Sequence, residues 1–333
     1  MTNSDCLRID FWDVGHGDAS VIWLDNGSVI LIDCGPHNSP LPMWIQRKGI
    51  RPELVILTHN DADHIEGFLA LMRLVGTSVQ KYGMVQDRDA STPRLKRIVR
   101  ELLDGVEKYH WCEAFGISPL PDQPQDLLSG VSLPLGLQNK LKLQAIHPSV
   151  LRSLEGQAKG PNWAGAIIVL FYQNVPCVVW PGDQPLQTCH DRLQTYNIEP
   201  FFFVGPHHGG PVDSPKLSSD EMGDLVERIG HRESWISVGQ KHRLPHEDYI
   251  HALHEKKISI RCSQVTCHCH PDLKTLGEGL LPTHDWLGLD RPPKGPSCMG
   301  PMRVVFRKSD YDIRFSEEHA KSLRKLATPH CVD

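Results

Sequence analysis

The sequence predicts a layered α/β protein, with sheets inside and helices outside, on three observations. Short apolar, β-rich runs alternate with segments of helical pattern. A chain of 333 residues with 40% hydrophobic and 23% charged positions can bury a sizeable core, as one large domain or two small ones. Run after run stops at an aspartate or a histidine, and in α/β sheets such endings gather chemistry-bearing groups along the carboxyl edge.

In chain order, Ser28 to Ile32 leads into Asp33-Cys34-Gly35, and Glu53 to Thr58 leads into His59-Asn60-Asp61-Ala62-Asp63-His64. Ile65 to Met72 then has helical character. Arg94-Leu95-Lys96-Arg97-Ile98-Val99-Arg100 reads as a basic helical patch, either a solvated face or a phosphate-binding cap. Leu141 to Ile146 stops at His147-Pro148. Ala164 to Trp180 is the most apolar stretch; Gln173, Asn174 and Pro176 interrupt it, so it predicts two buried strands around a turn rather than a membrane span. The second of these, Val175 to Trp180, stops at Pro181-Gly182-Asp183, and Phe201 to Val204 stops at Gly205-Pro206-His207-His208-Gly209. A loop over Arg291 to Pro296, a hairpin from Met302–Phe306 and Tyr311–Phe315, and a short amphipathic helix from Ser316 complete the chain.

Composition narrows the classes of function. The formal net charge is −5, from 35 Lys+Arg against 40 Asp+Glu, so contact with a polyanion has to be local rather than a matter of bulk charge. Ten cysteines are too sparse for a disulfide scaffold, and residues 1–6 lack the basic start and apolar run of a secretory signal. The expected setting is a reducing cytoplasm, with no membrane partner.

The densest cluster is His59, Asp61, Asp63 and His64, four potential ligands in six positions. On an irregular strand-to-helix turn His59 with Asp61 can hold one cation and Asp63 with His64 another. Imidazole and carboxylate together suit zinc or manganese. An Asp-rich helix start favoured by the helix dipole would account for the aspartates but for neither histidine. Cys262, Cys267, His268, Cys269 and His270, with Cys298, supply enough soft ligands for a structural zinc, but their spacing matches no standard finger or ribbon. Buried thiols and surface histidines are the expectation there.

With these residues the chain resembles the metallo-β-lactamase fold family, an αββα sandwich. His59-Asn60-Asp61-Ala62-Asp63-His64 is similar to the family's first metal motif in the variant where Asp replaces the second His. Asp13-Val14-Gly15-His16-Gly17-Asp18-Ala19, Asp33-Cys34-Gly35, Pro181-Gly182-Asp183, Pro206-His207-His208-Gly209 and Ser237-Val238-Gly239 follow in the order seen in ComEC-type competence-protein hydrolase domains and phosphorylcholine esterases. The resemblance covers roughly residues 8 to 265. It implies a hydrolase domain over 1–270, longer than the minimal family by an insertion at about 77–134, and a 271–333 extension packed on the same domain.

The resemblance also implies a ligand set. His59, Asp61 and His147 would bind a first metal, Asp63, His64 and His208 a second, and Asp183 would bridge both. His207 and His246 would touch substrate or leaving group, so Asp63, Asp183, His207 and His246 are the expected participants in the chemistry. Two cations about 3.5–4 Å apart would make a bridging hydroxide available near neutral pH. The expected activity is that of a dinuclear phosphodiesterase or nuclease, using Zn2+ before Mn2+ and acting on nucleic acid, a nucleotide or another phosphodiester. An ester, amide or lactone hydrolase on the same centre, and a non-catalytic metal-binding module with a protein partner, are the alternatives. Two departures from the family stand out: His16 replaces a usual Gln, which puts an imidazole at the cavity rim or on a surface loop, and Leu244-Pro245-His246 replaces the usual Gly-His-Pro.

Overall fold

The computed structural model describes residues 6–85, 93–104, 107, 113–119, 123–147, 165–210, 217–239, 243–270, 298–308, 310–315 and 317–326. The loop expected at Arg291 to Pro296 lies outside the described residues, as do the side chains of Arg94 and Leu95.

Numbered along the chain, β1 (Leu7–Phe11), β2 (Ala19–Trp23), β3 (Val29–Cys34), β4 (Pro52–Leu57), β5 (Lys81–Val85) and β6 (Glu113–Ile117) form one sheet with β14 (Met302–Phe306) and β15 (Tyr311–Arg314). Its spatial order is β15-β14-β1-β2-β3-β4-β5-β6. A second sheet holds β7 (Gln125–Asp126), β8 (Leu141–His147), β9 (Ile167–Tyr172), β10 (Val175–Trp180), β11 (Phe202–Val204), β12 (Glu233–Ile236) and β13 (Ser259–Cys262), in the order β13-β12-β11-β10-β9-β8-β7. Residues 77–134 thus supply β5 and β6 to the first sheet and β7 to the second. The expected C-terminal hairpin is β14 and β15, paired antiparallel, and β14 pairs in turn with β1.

The helices are α1 (Leu41–Lys48), α2 (Ala62–Val75), α3 (Pro93–Leu103), α4 (Leu186–Thr195), α5 (Ser219–Ile229), α6 (Glu247–Glu255) and α7 (Glu317–Leu326). Strand periodicity assigns each face of the first sheet. Ile30 and Ile32 of β3 and Leu54 and Ile56 of β4 join the core between the sheets, whereas Val29, Leu31, Val55 and Leu57 pack under α1, α2 and α3. Both faces are covered, which is why these runs read as continuously apolar. Between the sheets, the ring of Phe11 lies 6.3, 5.9 and 5.5 Å from those of Trp180, Phe202 and Trp235. Leu193 of α4, Leu225 and Val226 of α5 and Leu253 of α6 pack on the second sheet, completing four layers. α5 begins with a capping box, Ser218 with Glu221, and ends at Gly230 in the left-handed region.

Strand direction brings the loops together. β1 and β3 are both antiparallel to β2, and β3 is parallel to β4. In the second sheet β8 and β10 are both antiparallel to β9, and β10 is parallel to β11. The carboxyl ends of β1, β3 and β4 therefore share one edge, and those of β8, β10 and β11 share another. The edges are tied by the Ala166 N–H donating to Thr58 O at 2.6 Å and by the Ser237 hydroxyl donating to the Gly17 carbonyl.

Among the described residues no helix is long and apolar enough to cross a membrane. The basic run falls on α3, where Lys96, Arg97 and Arg100 are exposed and Arg97 donates to Glu101 at 3.1 Å, the behaviour of a solvated face. Of the C-terminal cysteines, Cys262, Cys269 and Cys298 are buried and Cys267 is exposed. Among the described residues no group of potential metal ligands includes a cysteine.

Candidate metal centre

Each side chain of the cluster sits at or just past the carboxyl end of a strand. Asp33 is the penultimate residue of β3, His59 follows β4, and Asp63 and His64 lie in the first turn of α2. Asp183 follows β10, and His207 and His208 follow β11. Asp33, His207 and His208 have φ of 56°, 47° and 55°. The left-handed region costs about 1–3 kcal/mol for residues with a side chain, and such strain persists where surrounding contacts hold it. Here it turns the two adjacent imidazoles onto different carboxylates: His207 Nδ1 lies 2.9 Å from Asp183 Oδ2, and His208 Nε2 lies 3.0 Å from Asp63 Oδ2.

His64 is the hub. Its Nδ1 is 2.9 Å from Asp33 Oδ2 and its Nε2 is 3.1 Å from Asp183 Oδ1. Asp33 also accepts from the Thr58 N–H at 2.8 Å and the Thr58 hydroxyl at 2.5 Å. A carboxylate receiving two such donors can only accept, so His64 Nδ1 carries a proton and Nε2 is the atom turned towards Asp183. Asp183 directs its other oxygen to His207, with His59 Nδ1 at 3.9 Å from that oxygen.

Three groups of donor atoms lie within 4.8 Å of one another: His59, His64 and Asp183; Asp18, His64 and His208; and His16, Asp63 and His208. They adjoin through His64 and His208. His59 Nε2 is buried with no hydrogen-bond partner, a costly state for an imidazole nitrogen unless something binds it. Buried imidazoles and carboxylates in mutual reach are the donor chemistry of a transition-metal site, so these residues fit divalent cations.

The electrostatics agree. Burial alone would lower His64, but Asp183 and Asp33 raise it well above its ordinary value. Burial likewise opposes protonation of His208, and the Asp63 hydrogen bond with the charges of Asp18, Asp183 and Asp63 lifts it to about 9. Asp183 and Asp63 run against their own burial and are held below the usual carboxylate range, mainly by His64 for the first and by the His208 hydrogen bond for the second. Burial pushes Asp18 up to about 6 despite His208 and His64. Without a cation the carboxylates hold protons on the imidazoles; a cation would take over that charge and release them.

Of the residues expected from sequence, His59, Asp63, His64, Asp183, His207 and His208 come together. Asp61 lies at the margin, 46% exposed, with Oδ2 3.7 Å from His59 Nδ1 and its N–H donating to that nitrogen at 3.3 Å. His147 is buried at the end of β8 and falls in none of the three groups. His246 precedes α6; its N–H donates to Gly209 O at 2.8 Å, and its Nδ1 is 3.3 Å from Asp248. Asp18 and Asp33 join the cluster without being expected from sequence as site residues. The available signal was their position, one in a glycine-rich turn and the other at a strand end.

Residues 12–126 match the sequence profile of the metallo-beta-lactamase superfamily, and the two-sheet α/β arrangement matches the metallo-β-lactamase fold. No curated protein matches the sequence. Similar solved structures include Igni18, described as a novel metallo hydrolase from the hyperthermophilic archaeon Ignicoccus hospitalis, with 16% identity and a TM-score of 0.46 over 77% of this chain and 94% of that one. The metallo-beta-lactamase fold protein YhfI of Bacillus subtilis has 13% identity and a TM-score of 0.47 over 78% and 98%. The short form of human tRNase Z has 12% identity and a TM-score of 0.43 over 70% and 92%.

Proposed function

We propose that this chain is a metal-dependent hydrolase that cleaves phosphodiester bonds with two divalent cations. The superfamily match over residues 12–126 supports the metallohydrolase class. One observation carries the reading: Asp183 is buried and turns its two oxygens to different partners, one to His64 and the other to His207 and His59, as a carboxylate shared by two cations would. His59, Asp61 and His147 would complete one half of the centre and Asp63, His64 and His208 the other. When bound, the cations supply Lewis acidity and a water made acidic near neutral pH.

The chain's own residues do the rest. Asp33 fixes the His64 ring and its tautomer through Nδ1, the kind of outer contact that governs ligand affinity. Asp61 adds a second anionic donor beside His59, a harder set that favours phosphoryl over lactam oxygen. His207, 31% exposed and held by Asp183, is the accessible imidazole that would hand a proton to the leaving oxygen, and His246, tied to Gly209 through its N–H, is the second candidate. The substrate class is nucleic acid, nucleotide or another phosphodiester. A cytoplasmic setting belongs to the same reading, supported by ten cysteines in 333 residues, too few for a disulfide scaffold.

The test is turnover of bis(p-nitrophenyl) phosphate, single- and double-stranded DNA, RNA and a β-lactam by the zinc- and manganese-loaded protein. Phosphodiester turnover is expected, lost by on the order of 10²-fold or more in Asp183→Ala, which stays folded. Turnover of carbonyl substrates alone would move the activity to an ester, amide or lactone. Metal uptake with no turnover on the panel would make the chain a binding module.

A further inference from the structure

The edge holding Asp63 and His208 carries a third donor that the ligand set above does not use. His16 Nε2 lies 3.3 Å from Asp63 Oδ2, the same oxygen that lies 3.0 Å from His208 Nε2. The His16 and His208 rings are 4.4 Å apart between centroids. Zinc–nitrogen bonds of about 2.0–2.1 Å in a tetrahedron put neighbouring donor atoms roughly 3.3–3.4 Å apart, close to the His16–Asp63 spacing, and all three donor atoms lie within 4.8 Å of one another.

The backbone that carries His16 is also held. The backbone at Gly239, beyond β12, runs so close to His16 that a Cβ there would meet its N at 2.7 Å and its Cβ at 3.0 Å. The next residue, Gly17, accepts the Ser237 hydroxyl. The loop after β1 is thus clamped by the second sheet, and a donor on a clamped loop loses little freedom on binding. The side chain is only 20% exposed, part of the cluster rather than of the outer surface.

We propose that His16 supplies, through Nε2, a nitrogen ligand to the cation held by Asp63 and His208. The proposal rests on the dinuclear reading above and deepens it. Glutamine, the usual residue here in the family resembled, offers an amide oxygen; imidazole in its place biases this half of the centre towards zinc and cobalt and away from magnesium and manganese.

The experiment is a Co2+ titration of metal-depleted wild type and His16→Gln, followed by calorimetry, by d–d absorption and by the hyperfine-shifted imidazole N–H resonances of the loaded protein. Unfolding midpoints in chelator establish that both are folded, with His16→Asn as the second variant should the first melt early. The wild type is expected to take two cations. His16→Gln should bind one of them on the order of 10- to 100-fold more weakly, with an altered visible band and one imidazole N–H resonance fewer. Two cations bound by the variant with unchanged affinities, band and resonances would overturn the role of His16 alone. Absence of a second cation in the wild type would overturn both this proposal and the dinuclear reading.

Discussion

Among the described residues, buried imidazoles sit in contrasting surroundings. His64 and His208 face carboxylates and are raised, while His231, away from the centre, has no hydrogen-bond partner at either nitrogen and packs 5.2 Å from the ring of Phe203. Burial lowers His231 to about 3 from its ordinary 6.5. The unfolded chain therefore binds a proton here that the folded one refuses between those values. The stability from this group is complete above about pH 6.5 and is lost as pH falls towards 3, up to roughly 5 kcal/mol. His231→Leu should stay within about 1.5 kcal/mol of wild type at pH 7.5 and gain roughly 2–3 kcal/mol relative to it at pH 4.5. Urea unfolding at the two pH values measures this, and parallel pH dependence of the two proteins would refute it. At this scale the sequence marks His59, Asp63 and His64 as candidates because they are dense in the chain. The proximity of Asp18 and Asp33 to His64 is hidden in the sequence, since each meets His64 only through tertiary folding.

The helix α2 is the element that aims the centre. Gly67 lies one turn past His64, and its N–H donates to Gly35 O at 2.8 Å. A Cβ at this position would come within 2.1 Å of Cys34 O and 2.9 Å of Cys34 C, both backbone atoms that cannot swing aside. Gly67→Ala should push α2 off the end of β3, destabilise the fold by about 1–3 kcal/mol and weaken cation binding through Asp63 and His64. Urea unfolding with a zinc titration reads both, and a variant as stable as wild type would remove the close approach from the account. Strands buried on both faces, such as β3 and β4, are legible as apolar runs because most positions of such a strand are apolar, with Glu53 and Asp33 the buried exceptions. β6 and β7 are not. The exposed Glu113 and Ala114 of β6 and the two residues of β7 carry no such pattern, so the 77–134 segment gave no sign of its place in both sheets.

Across the whole molecule, the candidate centre lies where the carboxyl ends of strands from two face-packed sheets converge, and the first of those sheets is held together by residues far apart in sequence. Arg303 donates to both oxygens of the buried Asp10, at 2.6 and 2.7 Å, across 293 positions of sequence. Trp23 Nε1 donates to the same carboxylate at 2.7 Å, and the Arg8 guanidinium lies 3.7 Å over the Trp23 ring. β14 thereby covers an edge of β1, the strand that leads into the loop of His16 and Asp18. Sequence alone predicted the hairpin but not its neighbour, because pairing partners in a sheet are fixed by the pattern of both faces rather than by local propensity. On the proposed reading this assembly gathers two cations around Asp183. Elemental analysis after equilibrium dialysis of the full chain against buffered Zn2+ tests it most directly. Two zinc ions retained per chain is the expected result, and a single equivalent or none would contradict it.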